Sequence, residues 1–474
     1  MSPSRSTWLK YAGFVGSVGG ARVVGAMLTA ITFPLILRRL GVEMYGIWSY
    51  VIAVLSFLDL AANPGLSSYA CQQVAAKRGE AADVVSDSIV LRAFLSVLVV
   101  GLIFLIAAFE VRPEAARLLR FYGVCITFIN LTNSEFILSS LELFHERSIL
   151  LITQQVIYTI IIVAMVRSAS DYMWVPASIL LSSLPTNLAG WIFVRRAGLR
   201  IQFGIHNKRW WPLLMPSGHY ALATFMSTIY HRTGHLVVRW FLGEHALGLY
   251  AAATRLVDFV RNLVSLGFVV IMPRVARAAE SPNSLRRLTR FSVAGIALVG
   301  LPLVVGILTT AQVLVPLVLG AQYMESARLL PWLAAYLLAA PLAALFSGTV
   351  LYGLGMHREY LISTATGAGV AVITNLVLVP WVGIRGASIA FVVGEAAVAV
   401  AAYRLSPEPA RDVWNSGLLK VILAATGLMA VVLSLMLRLH VPTLLAAIAS
   451  GVLYFLYCGW QTRARIQTEM QRTD

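Results

Sequence analysis

Leu40-Gly41-Val42-Glu43-Met44-Tyr45-Gly46 returns 202 positions later as Leu242-Gly243-Glu244-His245-Ala246-Leu247-Gly248. The same ungapped register superposes Phe57, Gly65 and Ala76 on Phe259, Gly267 and Ala278, and sets Trp48 on Tyr250. In each copy the motif separates two long apolar runs, near 12–36 and 44–67 in the first and near 213–238 and 246–271 in the second. Five further runs near 87–109, 117–139, 149–167, 172–194 and 289–311, and five more near 330–353, 360–381, 385–404, 416–437 and 440–460, give fourteen spans. The register carries span one onto span seven, six spans on, so both copies enter the membrane in the same direction. A parallel repeat has its pseudo-twofold axis along the membrane normal and places a substrate site between two lobes near the midplane.

Composition agrees with this reading. Of 474 residues 59% are hydrophobic and 12% charged, and mean hydropathy is +0.79. That leaves room for about fourteen spans of about 20 residues and for little else, and excludes a soluble enzyme, a secreted disulfide scaffold and a disordered chain. The expected fold is all-α, a polytopic membrane protein with about 14 transmembrane helices: two six-helix lobes (1–200 and 201–408) and two extra C-terminal spans with a tail (409–474).

The net charge of +16 is spread over many short loops, as membrane orientation requires, and points to membrane lipids rather than nucleic acid. With both termini on the cytoplasmic side, that side holds about twice as many Lys and Arg as the other. Lys77 and Gly204 are then expected to label from the cytoplasm alone. The apolar run after Arg5 and Lys10 lacks an A-x-A cleavage signal and reads as an uncleaved first span. Cys71, Cys125 and Cys458 lie far apart and form no C-x-x-C pair. A phosphate-binding loop, an H-E-x-x-H pair and a G-x-S-x-G elbow are all absent, as is any loop long enough for a soluble domain. No enzyme is expected, and no cofactor or metal.

A charge at a helix centre costs about 2.5 to 3.5 kcal/mol on insertion scales and should face a wet cavity or a partner. Five arginines fall inside spans: Arg22, Arg92, Arg232, Arg255 and Arg261. The intramembrane acids are Asp59, Glu135, Asp258 and Glu395. In span eight Arg255, Asp258, Arg261, Asn262 and Ser265 share one helix face, and in the repeat Asp59 of span two occupies the position equivalent to Arg261. Thr224, Ser227, His231 and His235 form a stripe on span seven. Spans one, two, seven and eight are therefore expected to line a cleft with a cationic bias from Arg22, Arg255 and Arg261, suited to an anionic ligand.

Each residue also has a plainer reading. Arg255 and Asp258 at i,i+3 would make a structural ion pair, and Arg92 and Arg232 would snorkel to the interface. His231 and His235 offer a metal two ligands and no third. They sense protons or pack as polar core, while Asp59, Asp258 and Glu395 are candidates for proton or sodium coupling. Asn63-Pro64-Gly65 closes span two as either a hinge or a helix end.

The stretch FPLILRRLGVEMYGIWSYVIAVLSFLDLAANPGLSSYACQQVA (33–75) resembles the opening of Wzx-type polysaccharide exporters. Similar patterns follow in VPLVLGAQYMESARLLPWL (315–333), the Leu-Tyr-Gly-Leu-Gly run (351–355), Asn375 and GIRGASIA (383–390). The resemblance covers almost the whole chain. It implies a member of the multidrug, oligosaccharidyl-lipid and polysaccharide exporter superfamily, with the two lobes in a V that opens alternately to either side. The implied cargo is an oligosaccharide on polyprenyl diphosphate, flipped outward across the bacterial inner membrane for O-antigen, capsule or exopolysaccharide synthesis. A polysaccharide polymerase and chain-length machinery are the implied partners, and Arg22 and Arg255 best match the family's cationic cleft positions. A multidrug or cation antiporter and a peptidoglycan-precursor flippase share the fold and stay open. A membrane polymerase or ligase would need a large outer loop that this chain lacks.

Overall fold

The computed structural model describes residues 5–76, 81–199, 210–265, 281–413 and 417–471. Every secondary-structure element among them is helical. Lys77, Gly204 and the end of span eight lie outside the described residues.

Helix α1 runs Arg5–Ala62, about 87 Å at 1.5 Å per residue and far more than one bilayer crossing of about 30 Å. Gly41, at φ 76° and ψ 172°, breaks it in a conformation that a side chain would strain. The helices around it fix the direction of each half. Before the break, Thr29 lies by Gln155 and Arg39 donates to the Val166 carbonyl, so this half runs parallel to α6 (Phe144–Met165). After the break, Trp48 packs on Tyr122 at 4.9 Å and Asp59 accepts a hydrogen bond from Asn130, so this half runs parallel to α4 (Pro113–Thr132). The end of α4 and the start of α6 meet where Glu135 pairs with Arg147, so α4 and α6 are antiparallel. The chain therefore reverses at Gly41, and α1 is two spans.

Three more helices complete the first set: α2 (Leu66–Ala76), α3 (Ala81–Ala108) and α5 (Glu135–Ser140). Helix α7 (Trp174–Arg196) follows, and then α8 (Trp210–Ser265), broken at Gly243 by φ 83°. Before that break, Trp210 sits by Phe94, Phe225 by Phe57 and Arg239 over Tyr50. This half of α8 thus runs antiparallel to the second half of α1.

Helix α3 shows the inverted amphipathicity that lipid demands. Arg92, Ser96, Val99, Ile103 and Ala107 are buried at helical spacing, while Phe94, Val97, Leu98, Leu102 and Leu105 face outward. The polar atoms turn in because hydrocarbon offers them no partner.

The chain forms two compact units, Met1–Gly248 and Leu249–Asp474. The six-helix lobes drawn from the repeat divide the sequence elsewhere, at 200. In the second unit α9 (Pro282–Val318), α10 (Leu330–Leu351), α11 (His357–Val382) and α12 (Ile384–Leu405) are followed by α13 (Gly417–Arg438) and α14 (Thr443–Gln471). Helices α11 and α12 pack closely at Gly367, where a Cβ would lie 2.1 Å from Val398 Cγ2 and 3.0 Å from the Gly394 carbonyl oxygen. The last two helices dock on α9: Leu419 and Ile422 meet Ala294 and Ala297, and the Tyr454 hydroxyl donates to the Leu298 carbonyl at 3.0 Å.

Eleven described helical runs are long and apolar enough to cross a membrane. One of them, Val23–Ala62, holds the Gly41 reversal. With that run split and the two halves of α8 added, the fourteen expected spans have counterparts, span eight as far as Ser265.

The repeated motif has a structural meaning. A Cβ on Gly46 would lie 1.9 Å from the Glu244 carbonyl oxygen, and one on Gly248 would lie 2.0 Å from that of Val42. Val42 and Gly46 correspond in the repeat to Glu244 and Gly248, so the two contacts are mates under the pseudo-twofold. The motif is a self-complementary crossing of two backbones, which only glycine permits.

Candidate functional site

Two polar networks lie inside the described spans, one in each unit. In the first, the Asn130 side-chain amide donates to Asp59 Oδ1 and Arg92 donates to the Asn130 carbonyl. Arg92 is 3% exposed and lies 5.7 Å over the Phe136 ring. It does not snorkel. The network opposes one acid to one guanidinium with Asn130 between them, its side-chain amide toward the acid and its backbone carbonyl toward the guanidinium.

The freed backbone where α4 ends is closed by the same neighbourhood. Trp191 Nε1 donates to the Thr132 carbonyl at 2.7 Å, Asn187 Nδ2 donates to Thr132 Oγ1 at 3.1 Å, and Asn133 Oδ1 accepts the Glu135 N–H at 2.8 Å. Expected span four is thus a helix broken at Asn133 and Ser134, with its loose backbone groups supplied by side chains, as broken helices in membranes require.

In the second unit the Tyr336 hydroxyl donates to Asp258 Oδ1 at 2.7 Å, and Arg261 Nε lies 3.4 Å from the same oxygen. The Arg261 guanidinium sits 5.9 Å over the Tyr336 ring and also donates to Asn262 Oδ1 at 2.8 Å. Glu395, on α12, is 3% exposed and feels the charges of Arg261 and Asp258. Tyr336 stacks on Phe391, one turn before Glu395, at 4.6 Å. The expected pairing of Arg255 with Asp258 is therefore replaced: Arg261 and Tyr336 hold Asp258, and Arg255 is exposed.

The remaining expected residues divide as follows. Arg22 is on α1, with its side chain outside the described residues. Asn63 caps α2, its Oδ1 accepting the Ser67 N–H at 3.2 Å while its amide donates to Ser67 Oγ at 3.0 Å. Gly65 lies against the Ser217 carbonyl. The Asn-Pro-Gly segment is a capped helix end in this structure. His235 is buried, His231 stacks on Tyr230 at 4.2 Å, and Arg232 is half-buried beside them. Among the described residues no group of three His, Cys, Asp or Glu could hold a metal ion.

Asn130, Asn187 and Trp191 escaped the sequence reading, which weighed the amides Asn63 and Asn262 beside the charges of spans two and eight but none in spans four and six. An asparagine in an apolar span is itself costly and was the available signal.

Arg92 and Asp59 give a direct prediction. Arg92 and Asp59 meet through Asn130, and removing one leaves polar groups of the network unsatisfied, at a cost of about 1 to 3 kcal/mol. Arg92→Leu should unfold at clearly lower temperature than wild type in a detergent melt followed by tryptophan fluorescence. Asp59→Leu/Arg92→Leu should recover most of the loss, and a double variant no better than the single would show that the two do not act as a pair.

The helical spans, the break-and-cross motif and the polar networks within apolar helices define a polytopic helical membrane fold. It resembles the lipid II flippase MurJ in an inward closed conformation, with TM-score 0.74 and 13% identity over 95% of this chain and 99% of that one. It also resembles an inward-facing multidrug resistance MATE family transporter of the MOP superfamily, at 0.63 and 16% over 83% and 96% of the two chains. A third likeness is to a MOP superfamily transporter from Pyrococcus furiosus described by the reverse polarity of its binding pocket, at 0.59 and 17% over 85% and 96%. These identities speak for the fold alone. No curated protein matches the sequence. The chain belongs to the polysaccharide biosynthesis protein family, which it matches over residues 15–279.

Proposed function

We propose that this protein is a flippase that moves a polyprenyl-diphosphate-linked oligosaccharide from the cytoplasmic to the outer leaflet of a bacterial inner membrane, with both termini cytoplasmic. The observation that carries the reading is Arg255, a guanidinium left exposed on an apolar span while the neighbouring acid is held by other groups. A charge kept in hydrocarbon at such cost implies an anionic ligand, and guanidinium matches diphosphate oxygens in pairs. The family match supports a saccharide cargo, and the likeness to a lipid flippase supports one carried on lipid. Arg22 joins Arg255 as a ligand for the head group, and the prenyl tail stays in lipid.

Transport proceeds by alternating access of the two repeat-related lobes, driven by a proton or sodium gradient or by product removal. Asp59, Asp258 and Glu395 are the carboxylates available for coupling. A polymerase that consumes the flipped lipid is the downstream partner. Native mass spectrometry tests the binding step: polyprenyl diphosphate should remain bound through desolvation and be lost in Arg255→Ala, and equal retention by both proteins would contradict the assignment.

A further inference from the structure

On α6, Ile149, Val156, Ile160 and Val163 are exposed and form the lipid face of the helix. Gln155 and Tyr158 lie on the opposite side, yet both are only half-buried. Among the described residues the nearest partner of the Gln155 amide is Thr29 Oγ1 on α1, at 3.5 Å, and Thr29 spends its own proton on the Gly25 carbonyl at 2.8 Å. At 3.5 Å a hydrogen bond is weak. An amide in an apolar span is costly unless its donors and acceptor are met, so this glutamine is placed for water or a ligand. Tyr158 stands in electrostatic reach of Tyr122 on α4, which in turn feels Arg232 on α8.

The depth of these residues follows from the helix ends. At one face those ends are tied together: Arg39 donates to the Val166 carbonyl, Arg112 reaches Glu43 and Glu244, and Gly46 lies against the Glu244 carbonyl. Counted from Gly41, Arg112, Val166 and Gly243 at about 1.5 Å per residue, Thr29, Tyr122, Gln155, Tyr158 and Arg232 all lie about 12 to 18 Å inward. That is the middle of a hydrocarbon core about 30 Å thick. All five belong to the first unit.

We infer that Gln155, Tyr158 and Thr29 form a saccharide subsite within the first unit, which holds a sugar of the cargo through its hydroxyl groups. The inference rests on the flippase reading above and gives a place to the uncharged part of the head group. A sugar hydroxyl both donates and accepts. The Gln155 amide offers two donors and an acceptor, and the Tyr158 phenol and Thr29 hydroxyl each donate and accept as well. The Tyr158 ring adds an apolar body behind its polar tip. A diphosphate calls for guanidinium forks, and these three side chains carry no charge. A cation calls for a carboxylate, and Asp59 on α1 is engaged by Asn130. Arg22, which the flippase reading gives to the diphosphate, precedes Thr29 by about two helical turns on α1, so the sugars would follow the diphosphate along that helix.

The test uses soluble sugars and no lipid-linked cargo, so the subsite fails separately from the flippase reading, which polyprenyl diphosphate retention decides. A single cysteine is introduced as Thr159→Cys, half-buried beside Tyr158, or as Ile160→Cys on the lipid face, with the three native cysteines replaced by serine. In nanodiscs a charged, membrane-impermeant thiol reagent should modify Thr159→Cys and spare Ile160→Cys. Diacetylchitobiose or maltose should slow the modification, and pyrophosphate should not. Gln155→Leu should weaken the protection about tenfold at an unchanged melting temperature, and Gln155→Asn should restore part of it. Tyr158→Phe keeps the test open if Gln155→Leu fails to fold. No modification of Thr159→Cys, no protection by either sugar, protection by pyrophosphate instead, or full protection retained in Gln155→Leu and Tyr158→Phe would overturn the subsite.

Discussion

Gly46→Val and Gly248→Val are each expected to abolish transport and to cost about 3 kcal/mol of stability, at the upper end for overpacking. An added Cβ at either position would stand about 2 Å from a backbone carbonyl oxygen, and a carbonyl in a helix cannot rotate away as a flexible side chain can. Relief must come from separating the helices, which also pulls the Glu244 carboxylate from Arg112 and Arg239, 3.6 and 3.4 Å from it. Gly101→Val is the matched control, since nothing lies within 4 Å of a Cβ there, and it should behave as wild type. Detergent melts and transport measured side by side decide the matter. If Gly46→Val melts and transports as Gly101→Val does, the crossing is not tight in the membrane.

Arg255→Ala is expected to leave expression and melting temperature unchanged or slightly raised, and to lower transport about 100-fold, the upper range for a lost hydrogen bond to a charged group. The two effects part because Arg255 is exposed and the fold does not need it as a partner for Asp258, which Tyr336 and Arg261 hold. Arg261→Ala should differ. It strips a partner from Asp258 and from the neighbourhood of Glu395, so stability should fall together with transport. Equal stability losses in Arg255→Ala and Arg261→Ala would mean that Arg255 is structural and that the cationic site lies elsewhere.

Much of the architecture was legible because apolar length and glycine placement are local properties. The runs on either side of Leu40-Gly41 and Leu242-Gly243 end where the structure breaks its two longest helices. The repeat was readable for the same reason that it is structural: Gly46 and Gly248 are constrained by each other's neighbourhoods. What could not be read are pairings between helices distant in sequence. Asp59 and Asn130 lie on different spans, and nothing local distinguishes an Arg92 that snorkels from one that turns inward to a carbonyl. The break in span four was hidden because Asn133 and Ser134 interrupt an otherwise apolar run without proline or glycine.

The most direct measurement is leaflet exchange in reconstituted liposomes. The purified protein is placed in vesicles carrying a polyprenyl-diphosphate oligosaccharide in both leaflets, and an impermeant sugar-modifying probe follows the outer pool, with and without a proton or sodium gradient. Rapid exchange of the inner pool into reach of the probe, lost in Arg255→Ala, is the expected result. No exchange under any gradient, together with efflux of a cationic dye from the same vesicles, would contradict the flippase and establish a cation antiporter.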